Sequence, residues 1–104
     1  MFMGYQYKTF FFGNVKEFIN SLSLKDQEKV IGAATTLGNG EFRSVSVKQL
    51  KGELKELRVK RYRLIFFIHT NTICFIRIVI KKSQKTPKNE IELAEKIYKL
   101  YTNK

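Results

Sequence analysis

The segment from Ile73 to Ile80 constrains the fold of this chain more than any other part of the sequence. It is almost wholly apolar, yet it is far shorter than the roughly 18 uncharged residues that a membrane span needs. A short apolar run of this kind predicts a central strand that is buried on both faces of a sheet. Arg77 interrupts the run, so we expect its charge to have a partner or to face a groove.

The residues before position 40 predict one strand and a helical hairpin. Tyr5 to Phe12 is rich in aromatic residues and predicts the strand. Apolar residues then recur at helical spacing over 15–22 and again after Ser23, which is expected to cap the second helix. The glycines at 38 and 40 end that helix.

The second half of the chain predicts a meander and a terminal helix. Strands are expected over 54–60, 61–69 and 72–80, and Thr86-Pro87 predicts the start of the helix. Residues 1–104 are therefore expected to form one α+β domain: an N-terminal strand, a helical hairpin, a three-stranded antiparallel meander and a C-terminal helix packed on one sheet. We expect the helices to cover one face of the sheet and to leave the other face open.

Basic residues are concentrated in two segments. Residues 48–63 hold seven Lys or Arg against Glu53 and Glu56, and residues 77–88 hold five with no acid, so +10 of the formal net charge of +11 lies there. Such crowding costs folding stability through self-repulsion and indicates a polyanionic partner, with nucleic acid the first candidate. The candidate RNA contacts are Lys48, Lys51, Lys55, Lys60, Arg61, Arg77, Lys81 and Lys88.

Side chains in these segments could cleave RNA without a metal ion. The 2′-hydroxyl attacks the adjacent phosphate, and the reaction needs a base, an acid and a cation that stabilises the pentavalent phosphate. Arginine suits the last task, and strand alternation can bring Arg58 and Arg63 to one face. Glu56 could be the base, and Lys82 or Lys85, crowded by other cations, could be base or acid. Phosphate binding without chemistry is the alternative.

The sequence predicts neither a metal site nor a cofactor. One cysteine and one histidine are too few ligands for zinc. Cys74 lies among apolar residues, which predicts a packed, inert thiol in the reducing cytoplasm. The N-terminus has no basic region followed by an apolar stretch, so no signal peptide is expected, and no interaction with a membrane is expected either.

Three segments together resemble the RelE/ParE toxin superfamily. The chain is most similar to its HigB-like, phage-derived branch, whose pattern runs K-x-L-K-G-x-L-x-E-L-R, then Y-R, then K-K-T-Q-K-T-P. The match is near-literal over residues 48–87, with Ser83 at the usual threonine. The matching residues are Lys48-Gln49-Leu50-Lys51-Gly52-Glu53-Leu54-Lys55-Glu56-Leu57-Arg58, Tyr62-Arg63 and Lys81-Lys82-Ser83-Gln84-Lys85-Thr86-Pro87.

This resemblance implies a RelE-like fold and a type II toxin that cleaves mRNA on the translating ribosome. A co-encoded antitoxin, expected to be of the helix-turn-helix type, would silence it, so the toxin would be a monomer on its own or part of a heteromeric complex. RelE has a tyrosine where this chain has Thr86-Pro87, which leaves the acid and base unassigned. Carried over by position, the foremost catalytic candidates are Arg58, Arg63 and Lys82. Lys81, Gln84 and Lys85 come next, with Lys85 expected to be catalytic and Lys81 and Gln84 expected to bind RNA.

Two other functions are compatible with the same sequence. One is a ParE-like inhibitor of DNA gyrase, and the other is a nucleic-acid-binding module without catalytic activity. The full basic set favours the ribonuclease, because gyrase inhibition does not need it. Breaks in DNA with intact mRNA would favour the gyrase inhibitor, whereas codon-linked mRNA ends would favour the ribonuclease.

Overall fold

The computed structural model describes residues 6–82 and 85–103. The predicted α+β class is confirmed. A short 3-10 turn (Phe42–Ser44) precedes the second strand. In chain order, the strands and helices are β1 (Lys8–Phe11), α1 (Gly13–Asn20), α2 (Leu24–Gly38), β2 (Ser46–Lys51), β3 (Leu54–Val59), β4 (Tyr62–His69), β5 (Thr72–Ile80) and α3 (Lys88–Thr102).

The five strands of the described residues belong to one sheet, in the order β1-β5-β4-β3-β2. β1 pairs in parallel with β5, and β2 to β5 form an antiparallel meander. The meander has one strand more than predicted, because β2 joins β3 through a tight turn in which Gly52 has a φ of 55°. β1 begins at Lys8, and Tyr5, the predicted start of that strand, lies outside the described residues.

Helices cover both faces of the sheet. α1 and α2 pack on one face, where Val15, Val30 and Leu37 join a core with Leu64 and Phe75. α3 packs on the other face, where Ala94 meets a second core cluster that includes Ile65 and Ile76. The expectation of one open face is therefore wrong. The reason is that β4 and β5 carry apolar side chains on both faces, and an uncovered face would expose them to water.

The burial of Cys74 and the cap at Ser23 are as the sequence predicts. Cys74 is fully buried, and this burial raises the pKa of its thiol. Ser23 caps α2, since its hydroxyl accepts a hydrogen bond from the backbone N–H of Asp26 at 3.2 Å. In the described part of the chain, no helix has the length and apolar character required to cross a membrane.

Asp26 joins α2 to the turn between β3 and β4. Its carboxylate accepts a hydrogen bond from the Tyr62 hydroxyl at 2.7 Å and pairs with Lys60 at 2.7 Å. Arg61 adds a longer contact of 3.8 Å. The hydrogen bonds from Lys60 and Tyr62 hold the pKa of Asp26 below its ordinary value. This network fixes the connection from which β4 enters the core.

The lowered pKa of Asp26 predicts an acid-dependent loss of stability. Because the folded state depresses this pKa, the stabilisation is fully present above the ordinary value of an aspartate, 3.8, and disappears as the pH falls below it and through the lower folded value. The Asp26→Asn variant should be less stable at neutral pH and should have a flatter acid dependence, measured by urea unfolding. Glu28→Gln, at an exposed position of α2, is the control. Equal pH slopes for Asp26→Asn and the wild type would contradict the assignment.

Candidate functional site

Glu56 is the buried centre of the candidate site. Its side chain is 1 % exposed, although it is charged and lies on β3. One carboxylate oxygen accepts a hydrogen bond from Arg58 Nε at 2.9 Å, and the other accepts one from the Thr86 hydroxyl. A buried carboxylate needs such donors, because its desolvation would otherwise be too costly. Glu56 thus connects the sheet to the chain segment that leads into α3.

Arg63 lies directly opposite Arg58, on the neighbouring strand β4. The residue is only 8 % exposed, and its Nη1 donates hydrogen bonds to the backbone carbonyls of Lys60 at 3.2 Å and Tyr62 at 3.1 Å. None of the carboxylates in residues 6–82 and 85–103 forms an ion pair with it. A guanidinium held this way has a fixed position and an uncompensated charge.

A cleft of about 320 Å³ lies beside Arg63, at the end of β5. Its polar wall carries several cations, and its apolar wall comes from α1 and the isoleucines of β5. Glu90 also lines it, but this carboxylate is already paired with Arg77. The lining residues are Phe18, Arg63, Ile78, Val79, Ile80, Lys81, Lys82, Lys85, Thr86, Pro87, Asn89 and Glu90. A positive cleft of this kind suits a phosphate-bearing ligand.

Arg77 has the partner that its position in an apolar strand requires. Its Nε and Nη2 bind the two carboxylate oxygens of Glu90 at 2.8 and 3.0 Å. This fork raises the pKa of the guanidinium above its ordinary value. The pair anchors the first turn of α3 to β5, and it neutralises a charge that the sequence analysis assigned to RNA binding.

The structure brings only some of the predicted residues together. Arg58, Arg63 and Glu56 share the sheet face under α3, and Lys81, Lys82 and Lys85 line the cleft. Gln84 and its neighbour Ser83 lie outside the described residues. The remaining candidates lie away from the cleft. Lys60 and Arg61 bind Asp26, Lys51 binds Glu95, Lys48 and Lys55 lie on β2 and β3, and Lys88 begins α3.

Sequence reasoning missed two contributors to the site. Thr86 was predicted to cap α3, but Pro87 is the N-cap residue and the Thr86 hydroxyl binds Glu56 instead. Phe18 was assigned only to the apolar face of its helix, and it lines the cleft as well. Neither contact has a signal in the local sequence, because each joins segments at least 30 positions apart.

The sequence profile of the family described as "Phage derived protein Gp49-like (DUF891)" matches residues 17–99. The chain belongs to this family. The predicted membership of the RelE/ParE superfamily, in its HigB-like, phage-derived branch, is thereby confirmed. The match includes β2 to β5 and all but the last turn of α3, and therefore every described residue of the candidate site.

A solved structure supports the same fold. The chain is similar to a protein in the crystal structure of the archaeal RelE–RelB complex from Pyrococcus horikoshii OT3, with a TM-score of 0.67 and 16 % identity. The similarity covers 74 % of this chain and 97 % of the archaeal one. At this identity the likeness shows the fold, which is RelE-like as predicted. No curated protein matches the sequence significantly.

The contact between Thr86 and Glu56 predicts a stability effect that depends on one hydroxyl. Thr86→Val keeps the shape of the side chain but leaves a buried carboxylate oxygen without its donor, which should cost about 1–3 kcal/mol of unfolding free energy. Thr86→Ser keeps the hydroxyl and should stay within about 0.5 kcal/mol of the wild type. Urea unfolding of the three proteins measures the difference. A Thr86→Val variant as stable as the wild type would show that the contact contributes nothing.

Proposed function

We propose that this protein is the toxin of a type II toxin–antitoxin system and cleaves mRNA on the translating ribosome. The observation that supports the proposal best is Arg63, a nearly buried guanidinium that borders a positive cleft and has no carboxylate partner among the described residues. Folding a charge into this position is costly unless a ligand compensates it. The planar fork of arginine fits the oxygens of a phosphodiester.

The cleavage needs no metal ion. The 2′-oxygen forms a bond to phosphorus while the bond from phosphorus to the 5′-oxygen breaks, which leaves a 2′,3′-cyclic phosphate and a free 5′-hydroxyl. Arg63, supported by Arg58 on the adjacent strand, stabilises the charge on the pentavalent phosphate. Lys82 and Lys85 at the cleft exchange the two protons, taking one from the 2′-hydroxyl and giving one to the 5′-oxygen.

Glu56 has a different role in this proposal from the base that the sequence suggested. Both of its oxygens already accept hydrogen bonds, from Arg58 and Thr86, and its side chain is almost entirely shielded from solvent. A general base must reach the proton that it removes. We therefore assign Glu56 the task of orienting Arg58 and of holding Thr86, the neighbour of the cleft residue Lys85.

The partners follow from the same proposal. The basic residues outside the cleft, on β2, β3 and the turn before β4, would contact ribosomal RNA and mRNA, and the site of action would be the cytoplasm. An antitoxin is supported by the solved neighbour, in which RelE is bound to RelB. The protein would then be a monomer on its own or a heteromeric complex with its antitoxin.

Arg63→Ala should abolish growth inhibition and lower the rate of mRNA cleavage by about 10²–10³-fold, because it removes the cation at the phosphate. Primer extension on mRNA from expressing cells should show new 5′ ends that are linked to codons and require active translation. Arg63→Lys keeps the charge but loses the planar fork, so we expect it to recover little activity.

The matched control for Arg63→Ala is Lys29→Ala, which removes one positive charge from an exposed position of α2. Circular dichroism and melting temperature should show that each variant is folded. Folded Arg63→Ala protein that still inhibits growth would remove Arg63 from the mechanism. DNA breaks with intact mRNA would indicate that the protein is a gyrase inhibitor and not a ribonuclease.

Glu56→Gln distinguishes an orienting residue from a base. The amide oxygen can still accept from Arg58 and the amide nitrogen can still donate to Thr86, so we expect cleavage within about tenfold of the wild type and an unchanged acidic limb of the pH–rate profile. Loss of a general base should cost about 10²–10⁴-fold. A loss of that size, with disappearance of the acidic limb, would restore Glu56 as the base.

A further inference from the structure

The second half of β5 has an unpaired edge on the side of β1. β1 pairs only with the first part of β5, from Thr72 to Phe75. The chain then leaves the sheet at Phe12, whose N–H donates to the Phe75 carbonyl at 3.0 Å, and α1 begins. From Ile76 to Ile80, no strand in the described part of the chain pairs with β5 on this side.

The register shows which backbone groups point to that edge. Lys81 donates its N–H to the Arg61 carbonyl at 2.6 Å, and Val79 lies opposite Arg63 on β4. Because antiparallel pairing alternates, the N–H and C=O groups of Ile78 and Ile80 point away from β4. The carbonyl of Ile76, two positions before Ile78, also points away from β4. It accepts a hydrogen bond from the Asn14 side chain at 3.5 Å on that outer side.

The cleft described above lies along this edge. Ile78, Val79 and Ile80 all line it. Its two sides differ in chemistry. Phe18 and the two isoleucines form the side under α1 and α2, where Ile80 is 42 % exposed. Arg63 belongs to the side under α3, and Lys81, which follows β5 directly, lines the same cleft.

A peptide in extended conformation matches these features one by one. Its backbone supplies both a donor and an acceptor to Ile78 and Ile80, whereas an RNA phosphate supplies acceptors alone. Its side chains alternate between the two sides of the sheet. Apolar side chains would meet Phe18 and Ile80, and acidic side chains would meet Arg63 and Lys81.

From this geometry we infer that the edge of β5 over Ile78–Ile80 binds an extended segment of a partner protein, in which acidic and apolar residues alternate, as a sixth strand. The inference rests on the proposed function, according to which this partner is the antitoxin. Its carboxylates would occupy the place of the RNA phosphate at Arg63. The antitoxin would thus inhibit the toxin by direct competition at the cleft, and α3 would stay in place.

A synthetic peptide tests the inference without knowledge of the antitoxin. The probe is an acetylated and amidated peptide of about six residues, an ordinary strand length, in which glutamate and valine alternate. Calorimetry measures its affinity, and NMR measures amide exchange in the protein. We expect binding that slows the exchange of the Ile78 and Ile80 amides and that weakens with salt.

Two N-methylated versions of the peptide provide the matched control. Each version carries methyl groups on one of the two alternating sets of backbone amides, so only one version loses the N–H groups that face β5. That version should bind at least about tenfold more weakly, and the other should bind like the parent peptide. A peptide of the same composition with its glutamates in one block should also bind more weakly.

A pair of protein variants tests the same edge. Ile80→Pro removes the N–H that points outward from the edge of β5. It breaks no hydrogen bond to β4, and a strand tolerates proline at such an edge position. It should weaken peptide binding at least about tenfold relative to Ile80→Val, with the melting temperature of both variants measured as a check of folding.

Three results would overturn the inference: no binding, equal weakening by the two N-methylated peptides, or peptide binding that leaves the exchange of Ile78 and Ile80 unchanged. The second result would mean that charge alone attracts the peptide. Because Arg63→Ala and mRNA cleavage test the proposed function separately, an active ribonuclease that fails these peptide tests would refute only the sheet-edge interaction.

Discussion

The pairing of β4 with β5 is the constraint on which the rest of the structure depends. These two strands carry apolar side chains on both faces, including Leu64, Ile65, Phe66 and Phe67 on β4, all fully buried. Neither face can be left in water, because the exposed apolar area would cost more than a small domain can recover elsewhere. One helical hairpin covers one face, and α3 has to return to cover the other.

That return of α3 builds the candidate site. Two contacts hold the start of α3 against the sheet: the Thr86 hydroxyl donates a hydrogen bond to Glu56, and Glu90 pairs with Arg77. Lys85, next to Thr86, lines the cleft beside Arg63 together with Lys81 and Lys82 at the end of β5. The charged contacts are thus part of the fold and part of the candidate site at once.

The site also explains why the chain tolerates crowded positive charge. Several cations outside the cleft have carboxylate partners, as Lys60 and Arg61 have in Asp26. Within residues 6–82 and 85–103, the partners of the Arg63 guanidinium are backbone carbonyls alone. A protein that leaves a nearly buried arginine in this state gives up folding stability, and an anionic ligand recovers it on binding. RNA and an acidic segment of the antitoxin are the two ligands proposed for this position, one for activity and one for inhibition.

Much of the fold could be predicted from patterns that are local in the sequence. Three features depend only on residues a few positions apart, so they can be recognised in the sequence alone. They are the apolar run at Ile73–Ile80, the cap at Ser23 and the alternation in β3 and β4. The β2 strand was missed as a strand because its residues are polar on an edge and carry little alternation. The covered second face was missed although the apolar run at Ile73–Ile80 indicated burial on both faces, because the sequence does not show which element supplies the second cover.

By itself, the sequence determined the family, the α+β class and the concentration of positive charge, since these follow from residue identity and spacing. Only the tertiary structure decided which charges are compensated and which are not. Arg77 and Arg63 are the same residue type in similar strands, yet Arg77 meets Glu90 from α3, whereas Arg63 meets an open cleft. The difference arises because contacts between distant segments depend on how the helices pack on the sheet, and that packing is decided by the shape of the whole core.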